Sequence, residues 1–230
     1  MLNELKIKVR AANVALKENG LVRLTWGNVS AIDRASGLVV IKPSGVPYDE
    51  LTDGDMVVVD LCGNVVEGKY RPSVDTPTHI YLYKTYPDIS AVVHTHSTFA
   101  TAFAQAGKSI KAYGTTHADA FFGDVPCTRS LTADEVAGDY EMNTGKVIAE
   151  TISDPVKMPA VLVKNHGVFT FGKSASAAVE NAMTLEETAK IAFLTLGISP
   201  DAPRVENYIL EKHYFRKHGH NAAYGQKEKE

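Results

Sequence analysis

Residues 55–67 read Asp55-Met56-Val57-Val58-Val59-Asp60-Leu61-Cys62-Gly63-Asn64-Val65-Val66-Glu67. Two β-branched runs flank Cys62-Gly63-Asn64, where Gly and Asn accept the backbone angles of a tight turn. Strand, short turn and strand with no helix between them require antiparallel pairing. The same alternation precedes it, with strand-like residues 21–32, a turn at 34–37 and a second run at 38–42. Helical spacing brackets these strands. Leu2, Leu5, Val9, Ala12 and Leu16 recur on one face before the stop at Asn19-Gly20. Residues 76–86 read as a helix with Pro77 in its first turn, where a missing N–H costs little. A strand at 90–97, a helix at 98–106 closed by Gly107 and a helix over 134–153 follow. Two strands within 159–171 fold around His166-Gly167, and helices at 174–196 and about 204–217 complete the chain. The order predicts an α/β fold whose helices flank a mixed, largely antiparallel sheet.

The chain has 230 residues, with 44% hydrophobic and 22% charged side chains, the profile of an ordinary globular domain. With no repeat and no low-complexity linker, residues 1–226 read as one domain and 227–230 as a disordered tail. Lys and Arg number 24 against 27 Asp and Glu, without a basic block, which argues against nucleic acid as partner. No apolar run reaches the roughly 20 residues of a membrane span, and residues 1–6 carry no cleavable apolar core. Cys62 and Cys127 lie in neither a metal nor a redox spacing, so a cytoplasmic protein with reduced thiols is expected.

The strongest chemical signal is His94-Thr95-His96 at the end of a β-branched run. Residues i and i+2 of a strand share a face, so both imidazoles project together. Lys164-Asn165-His166-Gly167 offers a third histidine at a turn. Three neutral imidazoles with one open position form a known arrangement for a catalytic divalent ion, zinc first, and Asp75 supplies a carboxylate as fourth ligand or acid/base. A lone histidine is more often a hydrogen-bonded core or surface residue; the alternating pair is what favours a metal. Gly114-Thr115-Thr116-His117-Ala118-Asp119 crowds polar groups into a short loop, with Asp119 either a proton carrier or a helix N-cap. Gly27-Asn28, Lys42-Pro43-Ser44-Gly45 and Ser73 have the composition of an anion-binding concavity but no Walker or dinucleotide spacing, and taken singly they are ordinary turns. Residues 212–226, rich in basic and aromatic groups, form either a solvated helix end or a tail that closes over a site and delivers Tyr224 as proton donor.

Taken together, six ordered segments resemble the class II aldolase/adducin family, and within it the L-ribulose-5-phosphate 4-epimerases. These are Leu24-Thr25-Trp26-Gly27-Asn28-Val29-Ser30, Ile41-Lys42-Pro43-Ser44-Gly45-Val46, Asp75-Thr76-Pro77-Thr78-His79, Val93-His94-Thr95-His96-Ser97, Gly114-Thr115-Thr116-His117-Ala118-Asp119 and Lys212-His213-Tyr214-Phe215-Arg216-Lys217-His218-Gly219. The resemblance implies a three-layer α/β/α sandwich and a cyclic homotetramer with active sites at subunit interfaces. It implies Zn2+, with Mn2+ or another divalent ion able to replace it, held by His94, His96 and His166 with Asp75 adjacent. Asp119 and Tyr224 fall on the paired acid/base positions, Tyr224 from a neighbouring subunit. Gly27, Asn28, Lys42, Ser44, Gly45, Ser73, Val74, Thr115 and His213 fall at or beside substrate-binding positions for a small sugar phosphate. Val74 stands where the family commonly has a second serine, removing a hydroxyl donor but not a backbone N–H. The implied reaction interconverts L-ribulose 5-phosphate and D-xylulose 5-phosphate by retro-aldol cleavage and re-addition. The alternatives are an aldolase that releases its cleavage products and a non-catalytic adducin-like interaction domain.

Overall fold

The computed structural model describes residues 2–219 and residue 222. Its strands are β1 (Asn28–Asp33), β2 (Leu38–Ile41), β3 (Val57–Val59), β4 (Val65–Glu67), β5 (Ala91–Thr95), β6 (Ala160–Leu162) and β7 (Val168–Gly172). Its helices are α1 (Leu2–Glu18), α2 (Thr76–Thr85), α3 (Thr98–Ala106), α4 (Thr115–Ala118), α5 (Ala133–Ala137), α6 (Tyr140–Thr151), α7 (Ala175–Ile198) and α8 (Asn207–His218). The strands form one sheet of seven in the order β4-β3-β2-β1-β5-β7-β6. Each neighbouring pair is antiparallel, and the one parallel contact among the described residues is the isolated bridge between Cys127 and Leu162.

Strand side chains alternate faces, and both faces of the sheet are buried except along the exposed edge strand β4. Val40, Val58, Ala91 and Val93 pack on one side against Val9, Ala12 and Leu16 of α1 and Ala178, Val179 and Ala182 of α7. Val39, Ile41, Val57, Val59 and Val92 pack on the other side with Ile80, Leu82 and Tyr83 of α2 and Ile148 of α6. The result is the expected α/β/α sandwich. Burial on both faces also explains why the strands read as continuous apolar runs rather than as an alternating pattern.

Two expected elements are interrupted. Residues 21–32 are not one strand, because Leu24 (φ 51°) and Gly27 (φ 79°) turn the chain before β1 begins at Asn28. At Gly27 an added Cβ would stand 2.8 Å from the His94 carbonyl oxygen, so only glycine lets this turn rest on β5. The helix expected over 134–153 breaks at Gly138-Asp139 into α5, closed at its start by a Thr132/Glu135 capping box, and α6. The proposed tail 227–230 lies outside the described residues.

Asn13, fully buried on α1, joins the helix to the sheet. Its Oδ1 accepts from the Val29 N–H at 2.9 Å and its Nδ2 donates to the Val29 carbonyl at 3.1 Å, beside a bond to the Val9 carbonyl at 2.8 Å. Asn13→Ala strands the buried peptide groups of Val29, and we expect a loss of about 2 kcal/mol or more in urea unfolding. A midpoint within error of wild type would show that water takes over these bonds.

Candidate active site

The antiparallel order places the start of β1, the end of β5, the start of β7 and the end of β2 at one edge of the sheet. Asn28 pairs across the ladder with His94, and His94 pairs on its other side with Phe169. His94 and Phe169 also stack, with ring centroids 4.3 Å apart. The His94 Nδ1–H donates to the Val168 carbonyl at 3.0 Å, which leaves Nε2 as the free lone pair. That nitrogen lies 3.1 Å from His96 Nε2. His166 completes the group: its ring centroid is 4.8 Å from that of His94 and 5.1 Å from that of His96. Asn165, with φ 63°, turns the chain there, and Gly167 packs so closely that a Cβ would meet the Thr95 carbonyl at 2.7 Å and His96 Cδ2 at 2.8 Å.

The donor atoms of His94, His96 and His166 all fall within 4.8 Å of one another, the arrangement of a divalent-metal site. Two unprotonated imidazole nitrogens at 3.1 Å repel unless a proton or a cation lies between them, so the set fits an ion. Burial, reinforced by the neighbouring histidines, pushes His166 down to about 4, and burial also lowers His96, which favours the neutral, ligating forms.

Asp75 precedes α2 and lines the same cavity, while the convergent cluster itself consists of the three histidines. Its Oδ2 accepts from Asn28 Nδ2 at 2.7 Å and from the Ser73 hydroxyl at 3.3 Å. Burial by itself would raise this carboxyl, but His94, His79 and the Asn28 amide outweigh it and hold Asp75 below the usual carboxylate range. Asn28 Nδ2 also bonds Ser73 Oγ at 3.0 Å, so one amide ties β1 to the segment before α2.

The cavity has a volume of about 340 Å³. Beyond the metal end it is lined by Gly27, Asn28, Lys42, Ser44, Gly45, Ser73 and Val74, so every one of these expected residues meets there. The turn after β2 is fixed by Ser44 N–H to the Arg71 carbonyl and Ser73 N–H to the Lys42 carbonyl, each at 3.0 Å. Lys42 is 1% exposed and has no carboxylate partner among the described residues; its ammonium donates to the Val46 and Pro43 carbonyls at 2.8 and 3.3 Å. Burial pushes Lys42 down to about 8. Val74, by contrast, is 65% exposed at the rim.

Three expected residues lie elsewhere. Thr115, Asp119 and His213 do not line this cavity. Asp119 follows the last residue of α4 rather than capping a helix start, so the N-cap explanation fails. Its Oδ1 accepts from His213 Nδ1 at 3.0 Å, and both oxygens accept from Arg216 Nη2, at 3.1 and 3.0 Å. Lys217 approaches at 3.8 Å. Burial would raise Asp119, but Arg216, His213 and Lys217 together hold it below its ordinary value and keep it ionised. Tyr224 lies outside the described residues.

Sequence reading passes over Trp26, Tyr48 and Tyr140. Trp26 lines the cavity mouth and is visible within the quoted segment 24–30. Tyr48 sits behind the cavity wall, in a turn whose sequence shows no chemical pattern. Tyr140, whose hydroxyl is 3.4 Å from His166 Nδ1, gives no signal because it opens a helix only where 134–153 breaks.

Residues 7–193 match the Class II Aldolase and Adducin N-terminal domain family, and the chain belongs to it. Among solved structures, an L-fuculose 1-phosphate aldolase is 29% identical, with a TM-score of 0.78 over 91% of this chain and 94% of that one. The L-fuculose 1-phosphate aldolase from Glaciozyma antarctica superposes with a TM-score of 0.79 at 22% identity over 96% of this chain and 84% of that one. The L-fuculose-1-phosphate aldolase from Thermus thermophilus gives 0.68 at 24% identity over 87% and 98%. The last two share the fold. Among the described residues no helix is long and apolar enough to cross a membrane.

His96→Asn removes one of the three convergent nitrogens, and equilibrium dialysis should show Zn2+ or Mn2+ affinity falling by about 100-fold or more. Retained affinity would remove His96 from the ligand set. Because burial pushes Lys42 down to about 8, inorganic phosphate should bind progressively more weakly as pH rises above that value, where the ammonium loses its charge. A binding constant unchanged across that titration would separate Lys42 from anion binding.

Proposed function

We propose that this chain is a divalent-metal-dependent epimerase that interconverts L-ribulose 5-phosphate and D-xylulose 5-phosphate. The observation that carries the reading is the union, in one cavity, of a three-histidine cluster and a buried lysine without a carboxylate partner among the described residues. One end suits an ion that binds the sugar's oxygens and the other suits a phosphoryl group. His94, His96 and His166 would hold the ion, Zn2+ first and Mn2+ as a replacement, with Asp75 beside it. When bound, that ion supplies Lewis acidity toward negative charge developing on the substrate oxygens.

The hydrogen on carbon 4 of a 2-ketose is not α to the carbonyl, so direct deprotonation cannot invert that centre. Removal of the carbon-4 hydroxyl proton instead lets the bond between carbons 3 and 4 break, giving an enediolate and glycolaldehyde phosphate. Rotation of the aldehyde and re-formation of the bond give the epimer, with a proton returned to the new hydroxyl. These proton transfers need carriers on the two faces of the aldehyde. We assign them to Asp119 and Tyr224, one for each face of the aldehyde. From the family resemblance we infer a homotetramer whose sites lie between subunits and receive Tyr224 from a neighbour, with Thr115 and His213 beside the substrate; Asp119 lies outside its own chain's cavity. Lys42, Ser44, Gly45, Ser73, Asn28 and the backbone at Gly27 and Val74 would retain the phosphate fragment while it turns. Two unpaired cysteines fit a reducing compartment, and we place the reaction in the cytoplasm.

A second reading, a sugar-phosphate aldolase that releases its fragments, is favoured by the 29% identity to an L-fuculose 1-phosphate aldolase. Incubation with L-ribulose 5-phosphate distinguishes them. The epimerase forms D-xylulose 5-phosphate in a chelator-sensitive reaction; net release of glycolaldehyde phosphate would establish the aldolase. Asp119→Asn should lower kcat by about 100-fold or more at normal metal content. Wild-type turnover in that variant would refute the assignment of Asp119.

A further inference from the structure

Tyr48 is 2% exposed and does not line the cavity, yet it touches both walls of the cavity's anion end. It opens a short 3-10 turn, Tyr48–Glu50, directly after Pro47. Its hydroxyl stands 2.8 Å from the Trp26 carbonyl and 2.8 Å from the Gly27 carbonyl, sharing one proton between them. In a planar trans peptide the C=O and the following N–H point opposite ways. Holding the Trp26 carbonyl therefore sets the direction of the Gly27 N–H. The same segment contains two residues at positive φ, Leu24 (51°) and Gly27 (79°), and Leu24 is 77% exposed. The Tyr48 hydroxyl thus pins the backbone on both sides of the Trp26–Gly27 peptide, directly after this turn.

The ring of Tyr48 serves the other wall. Lys42 Nζ lies 4.8 Å from its centroid. An ammonium has three donors, and Lys42 directs two at the Val46 and Pro43 carbonyls, which leaves one for a ligand. The negative face of the ring partly replaces the carboxylate that this buried cation lacks. The Lys42 ammonium thus stays uncommitted to any acid among the described residues and available to an anion.

We propose that Tyr48 is the positioning residue of the phosphate end of this cavity, its hydroxyl fixing the Trp26–Gly27 backbone and its ring fixing the Lys42 ammonium. This role rests on the sugar-phosphate reading above and adds the group that pre-organises it. Tyr48 lies outside the convergent histidine cluster, and its ring contact is to Lys42, so its loss should fall first on anion affinity.

Tyr48→Phe keeps the ring and removes both hydrogen bonds. Trp26 is the only tryptophan in the chain and lines the cavity, so its fluorescence reports inorganic phosphate binding. The expected result is phosphate binding weakened by about tenfold, with Zn2+ affinity by dialysis unchanged. KM for L-ribulose 5-phosphate should rise by more than kcat falls. Wild-type phosphate affinity in Tyr48→Phe would overturn the proposal, as would an equal loss of phosphate and metal affinity, the mark of general damage. If wild-type protein binds no phosphate by fluorescence or by inhibition, the sugar-phosphate reading fails first and this one with it. Should Tyr48→Phe not fold, a fluorotyrosine placed at position 48 keeps the fold and alters the acidity of the hydroxyl. It must then shift the phosphate constant and leave the metal constant in place; a fixed phosphate constant would again overturn the proposal.

Discussion

The site depends on the register of three strands. His94 is in line with Asn28 on β1 and with Phe169 on β7, and no other registration of these antiparallel strands places all three at the same level. A one-residue slip would send His94 to the opposite face of the sheet. The register is held by two buried faces, by the stacking of His94 on Phe169, and by Asn13, which grips both polar groups of Val29 from α1. From that alignment follow the free Nε2 of His94, its approach to His96, and the reach of the Asn28 amide to Ser73 and Asp75.

The chemistry is divided between two regions of the chain. The sheet edge gathers imidazoles, a tied carboxylate and a buried ammonium in one cavity. The helices α4 and α8 hold a different arrangement, in which Asp119 is surrounded by His213, Arg216 and Lys217. The first region is suited to binding and to charge stabilisation, the second to keeping a carboxylate ionised. Each carboxylate is governed by its neighbours: Asp75 by imidazoles and an amide, Asp119 by a guanidinium, an imidazole and an ammonium.

Much of the architecture was legible because it is written in local pattern. Residues 55–67 form the two-stranded unit their turn predicts, α3 ends at Gly107, which adopts φ 63°, and α2 begins with Pro77 in its first turn. The interruptions at Leu24, Gly27 and Gly138 were hidden. A leucine in the left-handed region runs against its own preference, and the close rest of Gly27 on β5 appears only once the strands are assembled.

What the amino-acid sequence determined alone was the inventory and its local direction: alternating histidines on one strand face, a third beside a glycine, and small polar turns near a lysine. The tertiary structure decided the rest. It brought His166 to His94 and His96, left Lys42 buried without an acid among the described residues, placed Tyr48 beneath two distant segments, and set Asp119 apart from the cavity. Distances between residues far apart in the chain depend on strand register and helix packing, which are properties of the whole core and of no single stretch.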